Sequence, residues 1–298
     1  FGLKMCEIAE KNENVTAITA AMTDGTGLKI FAERFPNRIF DAGIAEQHAV
    51  TMAAGLAVRG IIPVVAIYSS FLQRAYDQII HDVALQNLHV IFAVDRAGLV
   101  GNDGETHQGV FDEGFLSMIP NMTVLAPVDY REFGNMLEFA VSYSGPVAIR
   151  YPRGSMKGNI KNSQTDINLG KGYIVEEGED ITIAAAGKMV DTALKTREIL
   201  KEKNISAEII NLRFIKPLDQ DLILRSVNKT KSLVVIDEAP IFASYAPNII
   251  TMLPKDVEVL IKTLPDKFIK QGSIDELLRE NKLDADSTAA DIIKWRVK

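Results

Sequence analysis

Cys6 is the only cysteine in 298 residues. A single thiol excludes an intrachain disulfide and a cysteine metal cluster, and points to a reducing cytoplasm. Long apolar runs are missing too. The longest, such as Ile61 to Tyr68, fall far short of the roughly 20 residues that cross a bilayer, so no membrane span is expected. Positive charge is not in excess. The net charge of −6 gives no general nucleic-acid footprint. The start, Phe1-Gly-Leu-Lys-Met-Cys-Glu-Ile8, lacks an initiator Met and a signal-peptide pattern, which suggests a truncated or processed chain. No short repeat or low-complexity tract occurs.

What is present fits a soluble globular protein: 47% apolar and 24% charged residues. The length suggests two domains. Strands are expected at 15–19, 62–67, 90–94, 122–125 and 147–149, with helices near 2–11, 46–58, 70–86 and 129–142. Asp129, after Pro127, is an expected helix N-cap. A second series places strands at 181–185, 207–210, 233–236 and 257–261 and helices at 188–202, 219–227, 244–253 and 274–281. Near-continuous apolar strands alternating with helices indicate parallel sheets covered on both faces. The expected fold class is α/β, with two doubly wound, mostly parallel domains at 1–155 and 170–298. The polar stretch around 156–169 reads as a flexible linker.

Glu46 stands among small and apolar residues, in Asp41-Ala-Gly-Ile-Ala-Glu-Gln-His-Ala-Val-Thr-Met-Ala-Ala-Gly-Leu56. A carboxylate there is costly to ionise without a partner, and a raised pKa suits proton sharing with a docked ligand. On this segment alone, the ordinary reading of a water-facing Glu in the first turn of a helix is preferred.

Three other segments follow strand ends, where open α/β sheets bind ligands. In Tyr68-Ser-Ser-Phe-Leu-Gln-Arg-Ala-Tyr-Asp-Gln78, Phe71 could face a planar ring and Arg74 an anion. A core Phe and a surface Arg are the ordinary alternative. Asp95-Arg-Ala-Gly-Leu-Val-Gly-Asn-Asp-Gly-Glu-Thr-His-Gln-Gly109 is a long polar loop. Its His107 reads equally as a proton carrier and as a structural residue. In Arg150-Tyr-Pro-Arg-Gly154, paired arginines suit a phosphate or carboxylate, with Arg96 adding a third guanidinium; salt bridges from Arg150 and Arg153 to the linker are the alternative.

Together, in this order, the four segments resemble the 1-deoxy-D-xylulose-5-phosphate synthase family of the transketolase-like, thiamine-diphosphate-dependent group. The resemblance covers essentially the whole chain and is densest from 36 to 154. It implies a transketolase-like pyrimidine-binding domain followed by a transketolase C-terminal-like domain. It implies that Glu46 hydrogen-bonds the aminopyrimidine nitrogen of thiamine diphosphate and favours the imino tautomer that removes the thiazolium proton. Phe71 would stack on the pyrimidine, with Tyr68 and Ile67 lining that pocket. Arg74, Asp103 and His107 would surround the reacting groups, and Arg96 and Arg153 would grip the acceptor's phosphate. Glu46 and His107 are thus the expected catalytic pair. The implied reaction joins pyruvate, with loss of carbon dioxide, to glyceraldehyde 3-phosphate, on the way to isoprenoids and thiamine. His48 and His81 also fit the family pattern and are expected to be structural.

The family holds the cofactor's diphosphate through Mg²⁺ at a Gly-Asp-Gly motif, and no Gly-Asp-Gly occurs here. Thr23-Asp-Gly-Thr-Gly27 and Asn102-Asp-Gly-Glu105 lack the first Gly, so no metal ligand is expected in this chain. The resemblance implies that a preceding domain or a separate subunit holds Mg²⁺ and the diphosphate. The chain alone is expected to be nearly inactive, and the assembly a homodimer in the cytoplasm. Lys216-Pro-Leu-Asp219 and Leu264-Pro-Asp-Lys-Phe-Ile-Lys-Gln-Gly272 resemble the family's C-terminal domain. Residues 238–248 depart from it, with Pro240 and Pro247 and no Gly where an anion-binding helix start would lie. That domain is expected to serve packing and dimerisation.

Overall fold

The computed structural model describes residues 1–154, 160 and 164–297. Six strands of the first half lie in one sheet: β1 (Val15–Thr19), β2 (Ile39–Asp41), β3 (Ile62–Tyr68), β4 (Ile91–Asp95), β5 (Thr123–Leu125) and β6 (Val147–Arg150). All their pairings are parallel. Residues of β1 and β4 are buried on both faces, as a sheet covered by helices requires. The register sets Tyr68 beside Asp95 and Val94 beside Arg150. The carboxyl ends of β3, β4 and β6 therefore open onto one rim.

Helices at Gly2–Lys11, Glu46–Val58 and Tyr130–Ser142 form where the apolar periodicity predicts them. Asp129 caps the last of these, accepting a hydrogen bond from the Glu132 amide at 2.8 Å, a contact typically worth about 1 kcal/mol. The single helix expected at 70–86 is broken into short turns at Ser69–Leu72, Gln73–Ala75, Tyr76–Gln78 and Ile79–Ala84. The last is a wide π turn, in which the Leu85 amide bonds back to the Ile80 carbonyl.

The second half forms its own sheet from β7 (Tyr173–Glu176), β8 (Ile181–Ala185), β9 (Ala207–Asn211), β11 (Ser232–Pro240) and β12 (Glu258–Leu264), in the order β12-β11-β8-β9-β7. Only β7 runs antiparallel. The remaining strand, β10 (Phe214–Lys216), leaves this half and pairs antiparallel with β5. The two halves also share core. Val124 and Ala126 of the first lie in one buried cluster with Ile210, Ile215 and Tyr245 of the second.

Of the expected linker, 156–159 and 161–163 lie outside the described residues. The described part is pinned rather than free. The Ile160 amide bonds to Asp129 at 3.1 Å, and the Gln164 and Asp166 carbonyls accept from Arg213. Arg213 is itself buried, 2.6 Å from Glu132. A desolvated pair of this kind fixes geometry more than it adds stability.

Candidate active site

Glu46 opens its helix directly at the rim and is 2% exposed. The Arg74 guanidinium lies 3.2 Å from its Oε2, yet that oxygen receives no hydrogen bond. A buried carboxylate oxygen left unsatisfied is rare in a folded chain and costs about 1–3 kcal/mol. Nearby, Asp41 accepts from the Ala21 amide at 2.7 Å and the Gly43 amide at 3.0 Å, and from the Thr23 hydroxyl at 3.1 Å. These bonds tie the Thr23–Gly27 loop to the turn that precedes Glu46.

The end of β3 and the turn after it supply two half-buried aromatic rings. Phe71 sits 5.6 Å from Tyr68 and meets His107 edge-on at 5.2 Å. His107 Nδ1 is 2.9 Å from the Thr106 hydroxyl. Past β4, Arg96 adopts a left-handed backbone, φ 61°, uncommon for a non-glycine residue. Its guanidinium lies over the Tyr68 ring, 3.7 Å from the centroid. Asp103 bridges two arginines with one oxygen, Oδ2, which is 3.2 Å from Arg96 and 2.5 Å from Arg153. Arg96 and Arg153 share a cavity of about 310 Å³ with Asp95, Tyr151 and the Asp24–Gly27 loop. Gly25 has no room for a side chain, because a β-carbon there would lie 1.6 Å from the Tyr68 hydroxyl. Burial pushes the Asp95 carboxyl up to about 6, against opposition from the Arg96 amide and the Arg96 and Arg153 charges. Burial also raises the Tyr68 phenol, with Arg96 opposing.

Tyr68, Phe71, Arg96, Asp103, His107 and Arg153 are therefore linked through contacts along one rim, while Glu46 and Arg74 touch each other. Ile67 departs from expectation. It is 1% exposed, packs in the core with Ala49, Val50 and Ala53, and has no surface to line a pocket. His48 and His81 are exposed rather than packed, and His81 pairs with Asp77 one helical turn back. Arg150 is committed inward, 2.8 Å from Asp112 and 3.3 Å from Glu113. Sequence reasoning missed Asp112, whose Oδ1 also accepts from Ser69 Oγ at 2.9 Å and so braces the turn that carries Phe71. The acidic pair before an amphipathic turn, Asp112-Glu113, was its only signal. No group of three or more His, Cys, Asp or Glu side chains suited to a metal occurs among the described residues. Nor is any described helix long and apolar enough to cross a membrane.

A buried carboxyl oxygen that receives no hydrogen bond, an aromatic face and a carboxylate-bridged arginine pair suit a ligand with a polar planar ring at one end and an anionic partner at the other. The family profile for the transketolase pyrimidine binding domain matches residues 1–158, and that for the transketolase C-terminal domain matches 170–287. The chain belongs to the transketolase family. Within it, the chain is similar to 1-deoxy-D-xylulose-5-phosphate synthases. It is 50% identical to the one from Desulforudis audaxviator over 278 residues, which are 92% of this chain and 44% of that one. With the Clostridium tetani synthase it shares 45% over 297 residues, 99% of this chain and 48% of the relative. The chain thus spans somewhat less than half the length of these relatives. Among solved structures, a split gene transketolase described as an inactive beta4 tetramer matches with a TM-score of 0.86 and 28% identity, covering 98% of this chain and 95% of that one. A transketolase from Campylobacter jejuni matches at 0.81 and 17% identity over 98% of this chain and 45% of that one, which shows the fold alone.

Proposed function

We propose that this chain is the carboxyl-terminal part of a 1-deoxy-D-xylulose-5-phosphate synthase. Residues 1–155 form the pyrimidine-binding unit, 156–169 the linker and 170–298 the C-terminal unit. The complete enzyme condenses pyruvate, with release of carbon dioxide, and glyceraldehyde 3-phosphate. The observation that carries this reading is the buried Glu46 Oε2 without a hydrogen-bond partner, at the start of a helix that packs against the Gln73–Ala75 turn just beyond Phe71. Glu46 and Phe71 would hold a thiamine pyrimidine ring, Glu46 Oε2 sharing a proton with a ring nitrogen and Phe71 offering an aromatic face. Bound thiamine diphosphate supplies the electron sink for decarboxylation and carbon–carbon bond formation.

The chain's own residues hold and orient. Glu46 keeps the hydrogen bond at the pyrimidine nitrogen and sets that ring's protonation. Tyr68 and Phe71 fix the ring plane and exclude water from one face. Arg74 stands at the mouth, placed to take the pyruvate carboxylate in exchange for Glu46. His107, packed edge-on against Phe71, holds or passes a proton beside the reacting carbon. Arg96 and Arg153 receive the acceptor's phosphate, displacing Asp103 from between them.

Mg²⁺ and the diphosphate are held by an amino-terminal domain or subunit outside residues 1–298, and the assembly is a cytoplasmic homodimer. The inactive state of the split gene transketolase tetramer favours the reading that this chain alone is nearly inactive. Its 95% coverage also supports a second reading, in which this chain is the small subunit of a two-part enzyme. Both readings are tested by adding the amino-terminal half of a synthase and measuring carbon dioxide release from pyruvate with and without glyceraldehyde 3-phosphate. Release that requires both proteins and the acceptor supports the synthase. Transfer of a two-carbon unit from a ketose phosphate to an aldose phosphate, with no carbon dioxide released from pyruvate, would support a split transketolase.

A further inference from the structure

The loop that carries Asp103 and His107 is closed at its base by two hydrogen bonds between Gly98 and Gly109, at 2.6 and 2.8 Å. Between these points several of its contacts come from the second half of the chain. Gln108, 4% exposed, accepts from the Val100 amide at 2.8 Å within the loop. Its Nε2 donates across the seam to the carbonyls of Lys270 at 3.1 Å and Ile269 at 3.4 Å. The Gly272 amide approaches the Gly101 carbonyl at 3.5 Å. Gly104 lies so close to Gln271 that an added β-carbon would be 3.3 Å from its Cβ. On the other side, Lys188 joins Glu238 at 2.7 Å to the Leu99 carbonyl at 3.3 Å. Leu99 and Val110, flanking the loop, are buried in the second half's core with Ile269.

We propose that the C-terminal domain acts in the reaction as the buttress of this loop, and that Gln108 is the positioning residue through which the Ile269–Gly272 strap holds Asp103 and His107 over the cleft. This goes beyond packing and dimerisation as that domain's work, and it rests on the synthase reading for what the loop acts upon. The geometry separates two jobs of one side chain. Gln108 Oε1 serves the loop internally, whereas Nε2 reaches only the second half. Gln108→Glu keeps the acceptor and turns the donor into an oxygen facing two carbonyls. While ionised it therefore removes the donor and keeps the loop's own acceptor.

The test compares Gln108→Glu and Gln108→Ala with the unaltered chain. Hydrogen exchange is read on the chain alone; KM for glyceraldehyde 3-phosphate and the dissociation constant for thiamine diphosphate are read after addition of the amino-terminal half. Both variants are expected to speed amide exchange at 99–107 by about tenfold while leaving 46–58 unchanged. Both are expected to raise KM for the acceptor by about tenfold, with cofactor affinity within about twofold, because Glu46 and Phe71 lie outside the tether. Gly104→Ala strains a positive-φ position and presses on Gln271 without touching either core. It should act in the same direction if the Gln108 variants fail to fold. Unchanged exchange in Gln108→Glu would overturn the tether. Equal losses of acceptor and cofactor affinity would reduce Gln108 to a general fold role and overturn its positioning role. Failure of the mixed enzyme to turn over counts against the synthase reading, while the exchange result still decides the buttress.

Discussion

Arg74 stands 3.2 Å from Glu46 but leaves the buried Oε2 without a hydrogen bond. The pair thus balances charge without satisfying the acceptor. About half of the Arg74 side chain is in solvent, so screening weakens the attraction. Arg74→Ala should therefore cost about 1 kcal/mol or less in urea unfolding, well short of the 3–5 kcal/mol typical of breaking a fully buried pair. A loss in the latter range would show that Arg74, rather than a ligand, is the partner for which Glu46 is built.

Asp103 competes with any anion for Arg96 and Arg153, because its Oδ2 already lies between them. Asp103→Asn removes that competing charge and keeps the shape. Inorganic phosphate, titrated by calorimetry, should bind the variant about tenfold more tightly, a difference near 1.4 kcal/mol. Weaker binding would mean that Asp103 orders the two guanidinium groups more than it blocks them.

Gly25 lines the cavity of Arg96 and Arg153 and sits against the Tyr68 hydroxyl. A β-carbon at Gly25 would occupy the Tyr68 hydroxyl's place and swing the ring away, taking with it the surface on which Arg96 rests. Gly25→Ala should leave the unfolding midpoint nearly unchanged, since Gly25 is exposed, while raising KM for the phosphorylated acceptor several-fold in the mixed enzyme, by roughly 1 kcal/mol of lost binding. Unaltered KM would separate Tyr68 from Arg96 in function.

Asp95 makes the stability pH-dependent. Its folded pKa of about 6 lies above the ordinary 3.8, so the folded chain holds the proton more tightly than the unfolded one. Its contribution is fully present below pH 3.8 and is lost as pH rises through about 6, a cost on the order of 3 kcal/mol when complete. Asp95→Asn should match the parent in stability near pH 3.5 and exceed it increasingly up to pH 7 in denaturant titrations. A constant difference across that range would contradict the assignment.

The parallel strands were legible because β1, β4, β8 and β11 are apolar on both faces. What escaped was short or non-local. β2 has only three residues, two of them exposed, and β10 crosses from one half to the other sheet, a pairing no local pattern encodes. The helix at Ala285–Arg296 was missed because Asp286, Asp291 and Lys294 dilute its apolar face. At the site, the placement of motifs at strand ends was legible because those ends open together: the register sets Tyr68 beside Asp95 and Val94 beside Arg150. The resemblance placed Ile67 at the pocket, whereas in this chain it is buried in the core beneath the Glu46–Val58 helix. Sequence reasoning also missed Gln108 and Asp112, whose partners lie across the seam or across the sheet.

Carbon dioxide release from pyruvate by the chain mixed with the amino-terminal half of a synthase, with and without Glu46→Ala, tests most directly whether Glu46 presents its carboxyl to the cofactor's pyrimidine. The account predicts no release by the chain alone, acceptor-dependent release by the mixture, and a loss of at least about a hundredfold for Glu46→Ala in a protein that still folds. Undiminished release by the Glu46→Ala mixture, or clear release by the chain alone, would contradict it.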